Sequence, residues 1–143
     1  MGQINWGRVI GGGLLAGLVM NVSEYLLHGV VLNAEGKASM DEWNRLGLHV
    51  SDSPHYLMIL VGITFVLGIL ALWTYAAIRP RFGPGPRTAL VAGTAMWFFA
   101  YVWGYLGVRP YQIFSDRTLL LAAIWGLAEI NLTALLGAWL YRE

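Results

Sequence analysis

Four long apolar stretches decide what this chain can become. They run from Arg8 to Leu32, Pro54 to Ile78, Thr88 to Val108 and Thr118 to Tyr141. A helix of about 20 mostly apolar residues crosses the hydrocarbon core of a bilayer. The pattern therefore predicts an all-α integral membrane four-helix bundle. The composition agrees, with 57% hydrophobic and 12% charged residues in a chain of 143. Soluble domains carry about 25% charged residues. The net charge of +1 leaves no basic footprint for nucleic acid. The absence of cysteine excludes disulfides, thiolate metal sites and cysteine nucleophiles. Nothing between the stretches is long enough for a second unit, so residues 1–143 read as a single four-span domain embedded in lipid. The first stretch lacks a small-residue cleavage site and continues through Tyr25-Leu26-Leu27 and Val30-Val31-Leu32, which reads as a retained helix.

The span ends are marked by capping residues. Ser53 precedes Pro54, Gly85 precedes Pro86, and Ser115 precedes Asp116, each a helix start. Gly107 and Pro110 end the third span. In the long first connection, Ser39-Met40-Asp41-Glu42 fits a capping box. That predicts a short amphipathic helix with Met40, Trp43 and Leu46 on one side, lying on the membrane surface or closing over the bundle.

Arg79, Arg81 and Arg87 crowd the second connection, which places it in the cytoplasm. Four spans then put both termini there, with Arg8 and Arg142, and leave Lys37, Arg45, Arg109 and Arg117 outside. Trp6, Trp73, Tyr75, Trp139 and Tyr141 are expected in an inner aromatic belt, and Trp43, Tyr56, Trp103, Tyr105 and Tyr111 in an outer one.

The opening Asn5-Trp6-Gly7-Arg8-Val9 to Asn21-Val22-Ser23-Glu24, together with the turn from Tyr75 through Pro80 and Gly83-Pro84-Gly85-Pro86, resembles an uncharacterised family of small bacterial four-span membrane proteins. The resemblance implies a membrane setting and a bacterial source, hence the inner (plasma) membrane. That family has no known activity, so the resemblance brings no catalytic residues.

Ionisable residues inside spans cost about 2.5–3.5 kcal/mol each on insertion scales, so they mark function first. Here they are Glu24, His28 and Glu129, with the amides Asn21 and Asn131 nearby in sequence. Counting from Arg8, Arg79, Arg87 and Arg142 at about 1.5 Å per residue puts Asn21, Glu24, Thr64, Tyr101 and Glu129 in one layer near the midplane. All four spans are expected to contribute to that layer. Gly13, Gly17, Asn21, Glu24 and His28 form one stripe on the first helix, and the glycines favour tight packing and a homo-oligomer. Gly68, on a uniformly apolar span, is expected to tolerate a lipid-facing place. Asn131 points elsewhere than Glu129, toward a different contact such as another subunit.

Two carboxyls without an intramembrane Lys or Arg favour a proton, a cation or a cationic small molecule. Glu24 is the expected binding acid, Glu129 its partner, and Asn21, Tyr101 and Thr64 complete the layer. The layout is analogous to the small four-span multidrug exporters, whose sequence motifs are absent here. The ordinary alternative is a non-catalytic accessory or assembly subunit whose polar layer only fixes helix register. A third reading is a metal- or haem-binding oxidoreductase. In it Glu24, His28 and His55, closed by His49 or Asp52, hold a metal, or His28 and His55 bind a haem. Trp97, Tyr101 and Tyr105 align as a wall that stacks a flat or cationic ligand or else fills the core. No phosphate loop or catalytic serine arrangement is present.

Overall fold

The computed structural model of the chain describes residues 4–48 and 53–141. His49, Asp52 and Arg142 lie outside the described residues. The described residues form helices joined by short turns, with no strand among them. Helix α1 (Trp6–Leu26) continues as a π-helical segment, Leu27–Val31. A short α2 (Asn33–Arg45) follows, then α3 (Pro54–Phe82). Helix α4 (Pro86–Trp97) runs through a second π segment, Phe98–Trp103, into α5 (Gly104–Val108) and a 3₁₀ turn at Arg109–Tyr111. Helix α6 (Asp116–Leu140) closes the chain. Four of these runs are long and apolar enough to cross a membrane: Trp6–Val31, Pro54–Phe82, Pro86–Tyr111 and Asp116–Leu140.

The starts are capped as the sequence predicts. Ser53 Oγ accepts from the His55 N–H at 3.3 Å, and Ser115 Oγ accepts from the Thr118 N–H at 3.1 Å. Pro54 and Pro86 occupy first-turn positions where a missing N–H costs nothing. The expected capping box at Ser39 is not formed. Helix α2 starts at Asn33, with only Leu32 between it and the π segment, and Ser39 lies inside it. The run Ala34-Glu35-Gly36-Lys37-Ala38 holds enough good helix formers to carry the helix back to Leu32.

Helix α1 packs on α3 and α6, and α4 packs on α6 and α3, so the order round the bundle is α1, α3, α4, α6. Both described ends of the chain meet. The Asn5 N–H donates to the Tyr141 hydroxyl at 3.1 Å, and Arg8 Nη1 donates to the Leu140 carbonyl at 3.1 Å. The tight turn after α3 lies at the same end, where the Gly85 N–H donates to the Tyr75 hydroxyl at 3.3 Å and the Tyr75 and Tyr141 rings meet edge to face. Tyr75 and Tyr141 are therefore core residues there, not belt residues, whereas Trp6 and Trp139 face outward. At the opposite end α2 is a lid. Trp43 Nε1 donates to the Ile113 carbonyl at 3.0 Å, the Trp43 ring meets Phe114 edge to face, and Arg117 pairs with Glu35 at 3.5 Å.

The half of the bundle nearer the termini is the denser one. Its core gathers Val9, Ala16, Ala71, Leu72, Ala76, Ala89 and Ala92. Small residues bring backbones together here. A Cβ on Gly13 would stand 2.5 Å from Ile69 Cα, one on Gly17 2.7 Å from Phe65 Cα, and one on Gly68 2.5 Å from the Gly13 carbonyl oxygen. Gly68 is thus buried against the glycine stripe of α1, which corrects the expectation of a lipid-facing place. Without a hydrophobic drive between helices in lipid, such close approach supplies the van der Waals contact that holds them. From Tyr56 to Val61, and at Ile63 and Val66, the other half of α3 leaves its large apolar side chains exposed, as a lipid-facing surface requires.

Candidate functional site

One polar chain crosses the middle of the bundle. The Tyr101 hydroxyl oxygen lies 2.5 Å from Glu24 Oε1 and 3.1 Å from Glu129 Oε1. Glu24 Oε2 lies 3.1 Å from His28 Nε2. The order His28, Glu24, Tyr101, Glu129 therefore joins α1, the π segment after α4, and α6. Glu129 is 4% exposed, and its Oε2 has no hydrogen-bond partner. The His28 side chain at the other end is 65% exposed.

Both π segments belong to this chain. Glu24 stands just before the first and His28 lies within it, while Tyr101 lies within the second. Four residues along an α-helix overshoot a full turn by about 40°. The wider π turn takes back that rotation, so Trp97, Tyr101 and Tyr105 stay on one face. That face is the interior one: Trp97 Nε1 donates to the Ala123 carbonyl at 2.8 Å, and the Tyr101 and Tyr105 rings meet edge to face at 5.7 Å. The aromatic wall is core, while Phe99 and Trp103 face outward. Single-turn π segments inside α-helices recur at functional sites.

The surroundings hold the chain in place. Met20 and Ile130 pack on Tyr101, with Leu67 and Met96 beside them. Gly126 makes room for the phenol ring, since a Cβ there would stand 2.6 Å from Tyr101 Cε1. Trp125 Nε1 donates to Ser23 Oγ at 2.8 Å, tying α6 to α1 one residue from Glu24. This tie was not read from the sequence. The signals for it were the position of Ser23 beside Glu24 and of Trp125 one turn from Glu129.

The phenol has one proton to donate. Hydrogen bonds to both carboxyls at once require a second proton on one of them, which the phenol oxygen then accepts. A Glu–Tyr–Glu bridge in an apolar surround is thus an arrangement able to hold a proton between two acids. Low local dielectric strengthens each of these bonds and raises the cost of leaving one unmade.

Two members of the predicted layer go elsewhere. Thr64 Oγ1 donates to the Leu60 carbonyl of its own helix at 3.0 Å, so α3 contributes nothing to the chain. Asn21 Nδ2 donates to the Gly17 carbonyl at 2.8 Å and reaches the Val61 carbonyl at 3.5 Å, serving the contact between α1 and α3. Asn131 also has a partner within the chain. Its Oδ1 accepts from Thr94 Oγ1 at 3.3 Å, against the face of α4 that Gly93 leaves open.

The described members of the proposed metal set do not gather as three ligands. His28 is engaged by Glu24, while His55 is exposed at the first turn of α3. Among the described residues no three His, Asp or Glu side chains gather as metal ligands. Comparison of the chain with protein-family models, curated proteins and solved structures finds no match. The chemistry of the site therefore rests on its own geometry.

Proposed function

We propose that this protein is a small multi-pass membrane bundle that binds a proton at its midplane, on Glu24 and Glu129, in competition with a cation or cationic small molecule. The observation that carries this reading is the single Tyr101 hydroxyl set between two carboxyls. Such a bridge holds one exchangeable proton, and its removal leaves a negatively charged site beside aromatic rings with no Lys or Arg partner. Two coupled acids of this kind titrate as a pair. We place the bundle in a bacterial plasma membrane with both termini cytoplasmic, as the arginines of the second connection and the family resemblance suggest, and we take the working form to be a homo-oligomer.

The test is proton exchange in purified protein. A pH-sensitive dye in weak buffer is to report proton release when organic or inorganic cations are added. The wild type is expected to release protons with at least one cation, and Glu24→Gln to keep its fold and release none. Infrared spectra are to show a protonated carboxyl band that titrates and that Glu129→Gln alters. If no carboxyl band titrates in the wild type and no cation releases protons, the polar chain is interhelical glue and the accessory-subunit reading replaces this one.

A further inference from the structure

The chain of hydrogen bonds has one exposed end and one closed end. We propose that protons reach buried Glu129 from the α2 end of the bundle alone, by relay through His28, Glu24 and Tyr101. This inference rests on the proton-site reading and adds to it the direction of access.

The exposed end is His28. It lies three residues before the end of the first span at Val31, about 5 Å along the axis, where the hydrocarbon core gives way to headgroups and water. The closed end is Glu129. Between it and the termini the described spans contain no Asp, Glu, His or Lys, only arginines at the ends, which do not release protons. The threonine hydroxyls of this half already donate, Thr94 Oγ1 to Asn131 Oδ1 at 3.3 Å and the others to carbonyls. Thr133 Oγ1 donates to the Glu129 and Ile130 carbonyls at 3.0 Å, Thr74 Oγ1 to the Leu70 carbonyl at 2.8 Å, and Thr88 Oγ1 to the Gly83 carbonyl at 2.7 Å. The rest of that half is close-packed Val9, Ala16, Leu72 and Ala92, with backbones drawn together at the glycines.

The steps balance. Protonated His28 gives the proton on Nε2 to Glu24 Oε2 and becomes neutral. The Glu24 carboxyl rotates to turn its O–H toward Tyr101. The Tyr101 oxygen accepts that proton while its own passes to Glu129 Oε1. The phenol ends unchanged, Glu24 is again a carboxylate, and His28 takes a new proton from the α2 side. The titratable groups facing the relay are Glu24 and His28 from the first span, Tyr101 and Tyr105 from the third, and Glu129 from α6; α3 presents none. Tyr105 meets the Tyr101 ring edge to face at 5.7 Å.

The experiment uses the full chain in proteoliposomes. Vesicles are sorted by biotin capture through a single cysteine, at Asn44 for α2-end-out and at Pro84 for termini-out. The external pH is stepped, and the infrared carboxyl band assigned by Glu129→Gln is followed in time. In α2-out vesicles the band is expected to respond promptly, and in termini-out vesicles only at the rate of proton leak. His28→Phe and His28→Asn are expected to slow the α2-side response by roughly tenfold or more. Tyr101→Phe is expected to abolish it. Equal responses from both sides, or a wild-type rate in both His28 variants, overturn the one-sided relay while leaving the proton site standing. A carboxyl band that never titrates overturns both.

Discussion

Tyr101 stands 2.5 Å from Glu24 across the bundle, a hydrogen bond between residues 77 positions apart in the chain. That length falls in the range of O–H···O bonds to an ionised acceptor. It couples the first span to the third, which are not neighbours round the bundle, and the same phenol reaches Glu129 on the fourth. A change in the protonation of one acid is therefore felt by three spans at once.

Removing the bridge is expected to cost stability. Tyr101→Phe leaves one of the two carboxyls without its donor and the other, protonated one without its acceptor, at about 1–3 kcal/mol for the buried groups left unpaired. Thermal unfolding in detergent measures the loss. A double-mutant cycle with Glu24→Gln is expected to give a coupling energy above about 0.5 kcal/mol. Strict additivity of the two losses contradicts the bridge.

Gly126→Ala tests the same contact without touching a polar group. Its new Cβ meets the Tyr101 ring at 2.6 Å, so the ring must shift and the hydroxyl with it. Gly104→Ala meets nothing within 4 Å and is the control. The first variant is expected to lose proton exchange and stability together, and the second to keep both.

Gly17→Leu and Gly68→Leu are expected to be disruptive alike, each by about 1–3 kcal/mol or more, the cost of overpacking. The two glycines face each other, since a Cβ on Gly68 would stand 2.6 Å from the Gly17 nitrogen. Gly62→Leu, about 1.7 turns from Gly68 and open to the surroundings, is expected to be tolerated. Melting temperatures in one detergent rank the three, and a harmless Gly68→Leu refutes the interlocked face.

The chain has no cysteine, so single cysteines report topology cleanly. Cysteines at Asn44 and Pro84 are expected to react with an impermeant maleimide from opposite sides, Pro84 from the cytoplasm. Labelling of both from one side rules out the four-span arrangement.

Much of the fold was legible from the sequence because a bilayer imposes constraints that are local in the chain. A span is a length of apolar residues, and its starts at Ser53, Pro86 and Ser115 are set by capping groups adjacent in sequence. Counting residues from the flanking arginines placed Glu24, Tyr101 and Glu129 at one depth, because rise per residue is nearly constant. The reading failed where depth alone was not enough. Thr64 shares the depth, but its hydroxyl turns to its own backbone. Ser39 has the pattern of a cap, yet the helix runs through it.

The sequence by itself determined the number of spans, the starts of the last three and the need to shield the acids from lipid, while the second and third helical runs continue past the expected Ile78 and Val108 to Phe82 and Tyr111. The tertiary structure alone decided which side chains meet. Direction round a helix depends on small changes of twist, and the π turns at Leu27–Val31 and Phe98–Trp103 carry no residue pattern that announces them. Neighbour choice depends on how closely two backbones pack, as at Gly13, Gly17 and Gly68, where what matters is the partner each missing side chain admits. Both are properties of several helices packed together, so no single stretch of sequence contains them.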